Sequence, residues 1–255
     1  MNLKQDLQNL PQKKKRDSRW NYKGVNWKLS RSKIDLFVEC PRCFYLDNKM
    51  GIARPKFPSF LLNSAVDLLF KKEFDIHRAK GTPHPIMEEY KVDAVPFEHP
   101  QMNTWRENFE GIQFHHEDTG MIISGAIDDI WVKPDNSLIV VDYKSTSKEE
   151  KITLDDKWKE GYKRQMEVYQ WLLRKLNFNV SELGYFVYAN GKTDAKTFDG
   201  KLEFEVTLIP YEGDTAWVED TIFRIKETLD KDEIPSPSPE CEQCQYVYGR
   251  LGAES

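Results

Sequence analysis

The stretch Ile123-Ser-Gly-Ala-Ile-Asp-Asp-Ile-Trp-Val-Lys-Pro-Asp-Asn-Ser-Leu-Ile-Val-Val-Asp-Tyr-Lys-Ser-Thr146 reads as two apolar strands joined by a Pro-Asp-Asn-Ser turn. Both strands carry acids, and one acid lies two residues before a lysine, where a plain hairpin would continue its apolar run. Period-two alternation puts Asp142 and Lys144 on one face. The tight turn lets Asp128 of the first strand sit beside Asp142 of the second. Two adjacent carboxylates repel and are costly to bury bare, and a divalent cation removes that penalty. Hard oxygen ligands suit Mg²⁺ or Mn²⁺, and the Tyr143 carbonyl is a further candidate ligand. A cation at Lys144 can orient an attacking water and stabilise charge developing on a phosphate oxygen, so the pattern reads as a phosphodiesterase site. An isolated Asp-x-Lys triplet is more often a solvated charge pair at a strand end. Gly125 upstream, the turn spacing and the Leu138-Ile-Val-Val141 run raise its weight.

Outward from the hairpin, apolar stretches at 111–116, 121–132 and 138–144 read as consecutive antiparallel strands. Helical spacing follows in 155–177, with Tyr162, Met166, Tyr169, Leu172, Leu173 and Leu176 on one stripe, then two more strands and an amphipathic helix over 214–230. Before the hairpin, a short helix is expected from Ser32. A longer helix carries Leu61, Leu62, Ala65, Val66, Leu69 and Phe70 on one side, residues 76–100 read as loop, and a short helix follows around Trp105. Residues 1–27, with Lys13-Lys-Lys-Arg16, suggest a mobile polar tail, and 28–255 a single domain. The order of elements suits one α/β core with a central mixed sheet and flanking helices.

The chain has 255 residues, 39% of them hydrophobic, and a formal charge of -5, which argues against coating nucleic acid by bulk charge. A local basic surface is still compatible, with Lys148, Lys151, Lys163 and Arg164 as candidates. No apolar run approaches the roughly 20 residues that span a bilayer, and the N-terminus lacks a signal-peptide core, so a cytoplasmic protein is expected. In a reducing compartment the pairs Cys40-Pro-Arg-Cys43 and Cys241-Glu-Gln-Cys244 point to metal ligation. They fall in terminal elements, 28–50 and 235–250, so a shared ion would bring the chain ends together. Buried or redox-active thiols are the metal-free alternative.

Gly125-x-x-Asp128 and Asp142-Tyr-Lys144 resemble motifs II and III of the PD-(D/E)xK nucleases, whose restriction-endonuclease-like core is the expected fold. The chain is similar to the RecB-like branch, which includes the iron–sulfur exonucleases of CRISPR systems and the nuclease domains of helicase–nuclease complexes. That branch has a Gly-x-x-x-His helix before the acidic strands and a Gln-x-x-x-Tyr helix after the lysine. Asn63 and Asp67 stand in place of the glycine and histidine, while Gln165 and Tyr169 match the second motif. The resemblance covers residues 30 to 250 and implies a metal-dependent DNA nuclease acting in repair, recombination or defence. It implies Asp67, Asp128, Asp142 and Tyr143 around the metal, Lys144 assisting the water, and Gln165 with Tyr169 shaping the site.

In the same branch a Cys-Pro-Arg-x-Phe-Tyr-Leu element and a C-terminal cysteine group hold a 4Fe-4S cluster, usually as one cysteine plus three. This chain has two and two, which is equally the pattern of a structural Zn²⁺ site. The cluster and zinc both stay open. DNA is the implied partner, together with a helicase or other DNA-processing protein, because no Walker A motif supplies a motor. Two alternatives compete: a catalytically silent DNA-end-binding module, and a zinc-clamped protein-interaction scaffold.

Overall fold

The structure is a computed structural model describing residues 15–55 and 61–253. Its elements run β1 (Leu29–Ser30), α1 (Arg31–Glu39), α2 (Pro41–Asn48), α3 (Leu61–Lys80), α4 (Pro85–Glu89), β2 (Val95–Pro96), α5 (Met102–Trp105) and β3 (Ile112–His116). They continue with β4 (Met121–Gly125), β5 (Asp129–Val132), β6 (Leu138–Thr146), α6 (Glu160–Lys175), β7 (Leu183–Gly191), β8 (Phe204–Glu212), α7 (Ala216–Asp230) and α8 (Glu242–Ala253). They form two compact units, one from 58–116 with 122–218 and the other from the two chain ends with 117–121.

The larger unit is built on a five-stranded mixed sheet ordered β2-β5-β6-β7-β8. The Pro-Asp-Asn-Ser turn forms as its residues dictate. Asp135 accepts from the Ser137 amide at 2.9 Å, and Asn136 takes the left-handed φ of 63° that Asn tolerates. β5 and β6 then pair antiparallel, with Asp129 opposite Val141 and Val132 opposite Leu138. β6 and β7 run parallel, and α6 is the crossover between them. β7 and β8 close the sheet antiparallel.

Alternation along β6 decides what each face does. Ile139, Val141 and Tyr143 pack with Phe70, Phe74, Met87 and Trp131 beneath α3 and α4. Each such side chain withdrawn from water stabilises the fold by roughly 1.5–3 kcal/mol. Asp142 and Lys144 point the other way, toward α6, as the period of two requires. Helix α6 presses close on this face. A Cβ built on Gly125 would lie 2.6 Å from a Tyr169 ring carbon, and one on Gly184 would lie 2.5 Å from the Met166 sulfur. Glycine at these positions is a demand of helix-to-sheet approach.

Three expectations change. The continuous strand over 121–132 is broken at Ala126-Ile127-Asp128, and β4 joins β3 in a separate small sheet. The break is held by the Ile127 amide, which donates to the Trp105 carbonyl at 3.0 Å, and it frees Asp128 from ladder pairing. Helix α3 buries Phe70, Phe74 and Arg78, while Leu61, Leu62 and Leu69 are exposed, so the core-facing stripe lies about a helical turn further on than the sequence suggested. The supposed loop 76–100 contains the end of α3, α4 and β2, with the short α4 capped by His84.

The smaller unit packs the chain ends. Of the expected tail, residues 1–14 lie outside those described. Residues 15–27 carry a 3-10 turn at Ser18–Trp20, Arg16 bonds the Asp47 carboxylate at 2.9 Å, and Trp27 is buried with its indole N–H donating to Asn48. Tyr45 reaches the Lys231 carbonyl at 3.0 Å. Among the described residues no helix is long and apolar enough to cross a membrane.

Candidate functional site

The edge of the large unit at the C-terminal end of β6 collects the predicted acids. Asp142 has no exposed surface, and its Oδ1 accepts from Gln165 Nε2 at 2.7 Å. Gln165 Nε2 also donates to the Tyr169 hydroxyl at 3.1 Å, and Lys144 Nζ lies 3.4 Å from Gln165 Oε1. One helical turn separates Gln165 from Tyr169, so α6 presents both to one carboxylate. Lys144 also pairs with Asp142 Oδ2, yet that buried oxygen has no aligned hydrogen bond. Asp128 Oδ2 accepts from the Tyr143 amide at 2.9 Å, which fixes the second carboxylate against the strand bearing the first.

The predicted Asp67 joins through a residue the sequence reading missed. Lys71, one turn along α3, lies 2.8 Å from Asp67 and 3.4 Å from Asp128. Its signal was present as an i, i+4 acid–base pair on the predicted helix. Also missed was Asp129, next to the predicted acid and of opposite role. It is fully buried between Arg78 and Arg106 and accepts from the Tyr143 hydroxyl at 2.7 Å. Arg106 Nε donates to the Asp128 carbonyl at 2.9 Å, so this ion network grips the backbone on which Asp128 stands. Of the suggested basic residues, Lys148 and Lys163 are tied to Asp156 and Glu160 at 3.2 and 2.6 Å.

The electrostatics differ across the acid pair. Burial, with the neighbouring Asp128, pushes the Asp142 carboxyl above its ordinary range against the pull of Lys144. Burial also opposes ionisation of Asp128, but Lys71, Lys144 and the Tyr143 amide outweigh it and hold that carboxyl low. Lys144 is penalised by burial and more than compensated by Asp142 and Asp128, so it stays an ammonium. Asp67 is raised by burial and then by Asp128. Three carboxyl groups face two ammonium groups, which makes the pocket oxygen-rich. The Asp142 oxygen held by Lys144 alone and this donor set fit a hard divalent cation.

In the other unit, Cys40 precedes the first turn of α2 and Cys43 lies within it. Cys241 and Cys244 stand in the same relation to α8. The starts of two helices therefore bring the four thiols to one place; burial raises the Cys43 and Cys244 thiols and also opposes ionisation of Cys40, where backbone hydrogen bonds outweigh it and bring it to about 7. The ligand atoms of all four lie within 4.8 Å of one another, close enough to hold a metal. The closest sulfur pairs are Cys43–Cys241 and Cys43–Cys244 at 3.6 Å, with Cys40–Cys244 at 3.9 Å. Arg54, which sequence reasoning did not single out, donates to the Cys241 sulfur at 3.5 Å and pairs with Glu39 at 2.7 Å.

A sequence model of the PD-(D/E)XK nuclease superfamily matches residues 61–247, which spans the acids, the lysine and the Gln-x-x-x-Tyr helix. The chain belongs to this superfamily. A mixed central sheet with flanking helices is accordingly a PD-(D/E)XK nuclease core, and the proteins of this superfamily use divalent metals. No curated protein matches the chain significantly. Among solved structures, the one titled SSO0001 is 14% identical over 96% of this chain and 90% of its own, with a TM-score of 0.42. An alkaline exonuclease from Laribacter hongkongensis is 12% identical over 94% of this chain and 100% of its own, with a TM-score of 0.36. Likeness at that level says nothing of substrate.

Proposed function

We propose that the chain is a metal-dependent DNA exonuclease working in DNA repair, recombination or defence, with Asp128 and Asp142 as metal-holding carboxylates. The observation that carries this reading is the buried Asp142, bonded to Gln165 on one oxygen and paired with the Lys144 ammonium on the other. Such an arrangement costs stability unless it serves a cation and a phosphate. Asp67 and the Tyr143 carbonyl are the further ligands implied by the family's motifs. Bound Mg²⁺ or Mn²⁺ would neutralise the phosphate and lower the pKa of the attacking water.

The chain's own residues then divide the work. Lys144, held charged, is a donor and not a base: it hydrogen-bonds the attacking water or a phosphate oxygen as charge builds there. Gln165 fixes the orientation of Asp142, and Tyr169 fixes Gln165. The water oxygen forms the new bond to phosphorus while the bond to the sugar oxygen breaks. RecB-like membership, action at DNA ends and a helicase partner rest on the Gln165/Tyr169 motif and the cysteine-bearing chain ends. One observation favours the silent-module reading: Lys71 already gives Asp67 and Asp128 a built-in counter-ion.

For the cysteine centre we infer a single tetrahedral Zn²⁺ in place of a 4Fe-4S cluster. Thiolates on arms of ~2.3 Å around one tetrahedral ion sit ~3.8 Å apart. A cubane places a separate iron behind each thiolate and spreads the sulfurs to roughly 6 Å. Three separations of 3.6 to 3.9 Å, with all four sulfurs within 4.8 Å of one another, support the single ion, which would tie the two chain ends together. The nuclease reading is tested with linear and circular single-stranded DNA in Mn²⁺. Loss of the linear form alone is expected. Cutting of the circle would make the enzyme an endonuclease, and cutting of neither would favour the silent module.

A further inference from the structure

The hydrogen-bonded set around Asp142 continues outward through aromatic rings. Lys144 Nζ lies 4.5 Å from the centroid of Tyr162, and Tyr162 meets Trp158 edge to face at 5.5 Å. Trp158 is 55% exposed, in a unit whose Trp105, Trp131 and Trp171 are all buried. Leaving an indole in water forfeits more apolar burial than leaving almost any other side chain there, and it leaves the ring available to a ligand. Lys148 and Lys159 place ammonium groups 5.4 and 5.0 Å from its ring, and both also pair with Asp156.

Trp158 borders a cavity of about 360 Å³. Leu62, Val66, Leu202 and Phe204 give it apolar walls, and Ser145 and Thr146 continue β6 directly from Lys144 into it. Its volume stands at the small end of ligand sites, suited to one flat heterocycle and too small for a paired duplex end. An exposed indole with the partly exposed Lys148 beside it, next to a site that attacks phosphodiesters, matches the stacking platforms on which single strands are held.

We propose that this cavity receives one unpaired nucleobase next to the scissile phosphate, with Trp158 stacking on it, so that the substrate is a single strand or an unpaired end. The proposal rests on the nuclease reading for its choice of nucleic acid. It adds a positioning residue and a substrate class that the acidic site does not specify, because a base inside a duplex offers neither face for stacking.

The test uses the full chain in buffer without added divalent metal, where binding is read without cutting. Anisotropy of a labelled oligothymidylate and of a duplex of equal length is compared for the native protein, Trp158→Ala and Trp158→Phe. Stacking on an aromatic side chain is worth ~1–3 kcal/mol per base, so Trp158→Ala should weaken single-strand binding roughly 5- to 150-fold. Trp158→Phe should keep most of the affinity, and duplex binding should not change. Unchanged single-strand affinity in Trp158→Ala, an equal loss for strand and duplex, or no rescue by phenylalanine would each overturn the proposal. Trp158-dependent binding by a protein that never cuts in Mn²⁺ would support stacking while sinking the nuclease reading. Cutting by a protein whose binding ignores Trp158 would do the reverse.

Discussion

Gln165→Leu removes the link between α6 and the central carboxylate while keeping the side chain's approximate volume. Gln165 supplies the 2.7 Å hydrogen bond on Asp142 Oδ1, and the other oxygen of that carboxylate has no aligned hydrogen bond. After substitution the buried carboxylate is oriented by Lys144 alone. A hydrogen bond to a charged group is worth ~1.5–3 kcal/mol, which converts to a roughly 10- to 150-fold fall in the rate of cleavage if the bond is needed in the transition state. Asp142 should also bind metal less tightly, so the Mn²⁺ concentration giving half-maximal rate should rise. Tyr169→Phe, which removes the 3.1 Å support of Gln165, should have a smaller effect in the same direction. The assay is single-turnover cleavage across a metal titration, with thermal melting to verify that the variant folds. A folded Gln165→Leu protein cutting within twofold of the native rate at every metal concentration would refute the positioning role.

Other perturbations reach the supporting structure. Arg78→Met leaves the buried Asp129 with Arg106 and two neutral donors, and a broken buried ion pair costs about 3–5 kcal/mol, so the urea midpoint should drop sharply; an unchanged midpoint would mean Asp129 is adequately held without Arg78. Purified chain should contain close to one zinc per molecule by atomic emission and lack the brown absorption of iron–sulfur, and Cys241→Ser should lower both zinc content and melting temperature; stoichiometric iron and sulfide would contradict the single-ion reading. Burial, aided by Arg16, lowers Lys33 to about 8. Its native pKa lies below the unfolded value, so both states are protonated below pH 8 and the cost of burial is carried in full. Stability should then climb by on the order of 1–2 kcal/mol between pH 8 and 10.5, after allowance for residual exposure, and Lys33→Met should remove that climb in chemical denaturation.

How much of this was legible in the sequence differs from element to element. The hairpin was, because its turn residues, its apolar runs and its period of two agree, and that agreement puts Asp142 and Lys144 on one face. The Gln165/Tyr169 spacing was legible for the same reason, since one helical turn leaves little choice. The break at 126–128 was not, because its cause is a distant backbone bond to Trp105 and a tyrosine ring pressing on Gly125. Neither could the sequence separate Asp128 from Asp129. Two arginines more than twenty residues upstream decide that Asp129 is structural, and only the fold brings them there. Leu61, Leu62 and Leu69 misplaced the stripe on α3 because apolar spacing cannot tell a core face from an exposed one. The cysteine pairs announced a metal by spacing, while only the fold brings all four sulfurs within 4.8 Å of one another.

The central claim is that Asp142 and Lys144 form a phosphodiesterase site, and cleavage of end-labelled single- and double-stranded DNA in Mn²⁺, Mg²⁺ or EDTA tests it most directly. Native protein should cut only with metal, and Asp142→Ala and Lys144→Ala, each verified as folded, should both lose cutting. Folded, native protein that binds DNA and leaves it intact in every metal, or variants that cut as the native chain does, would contradict it.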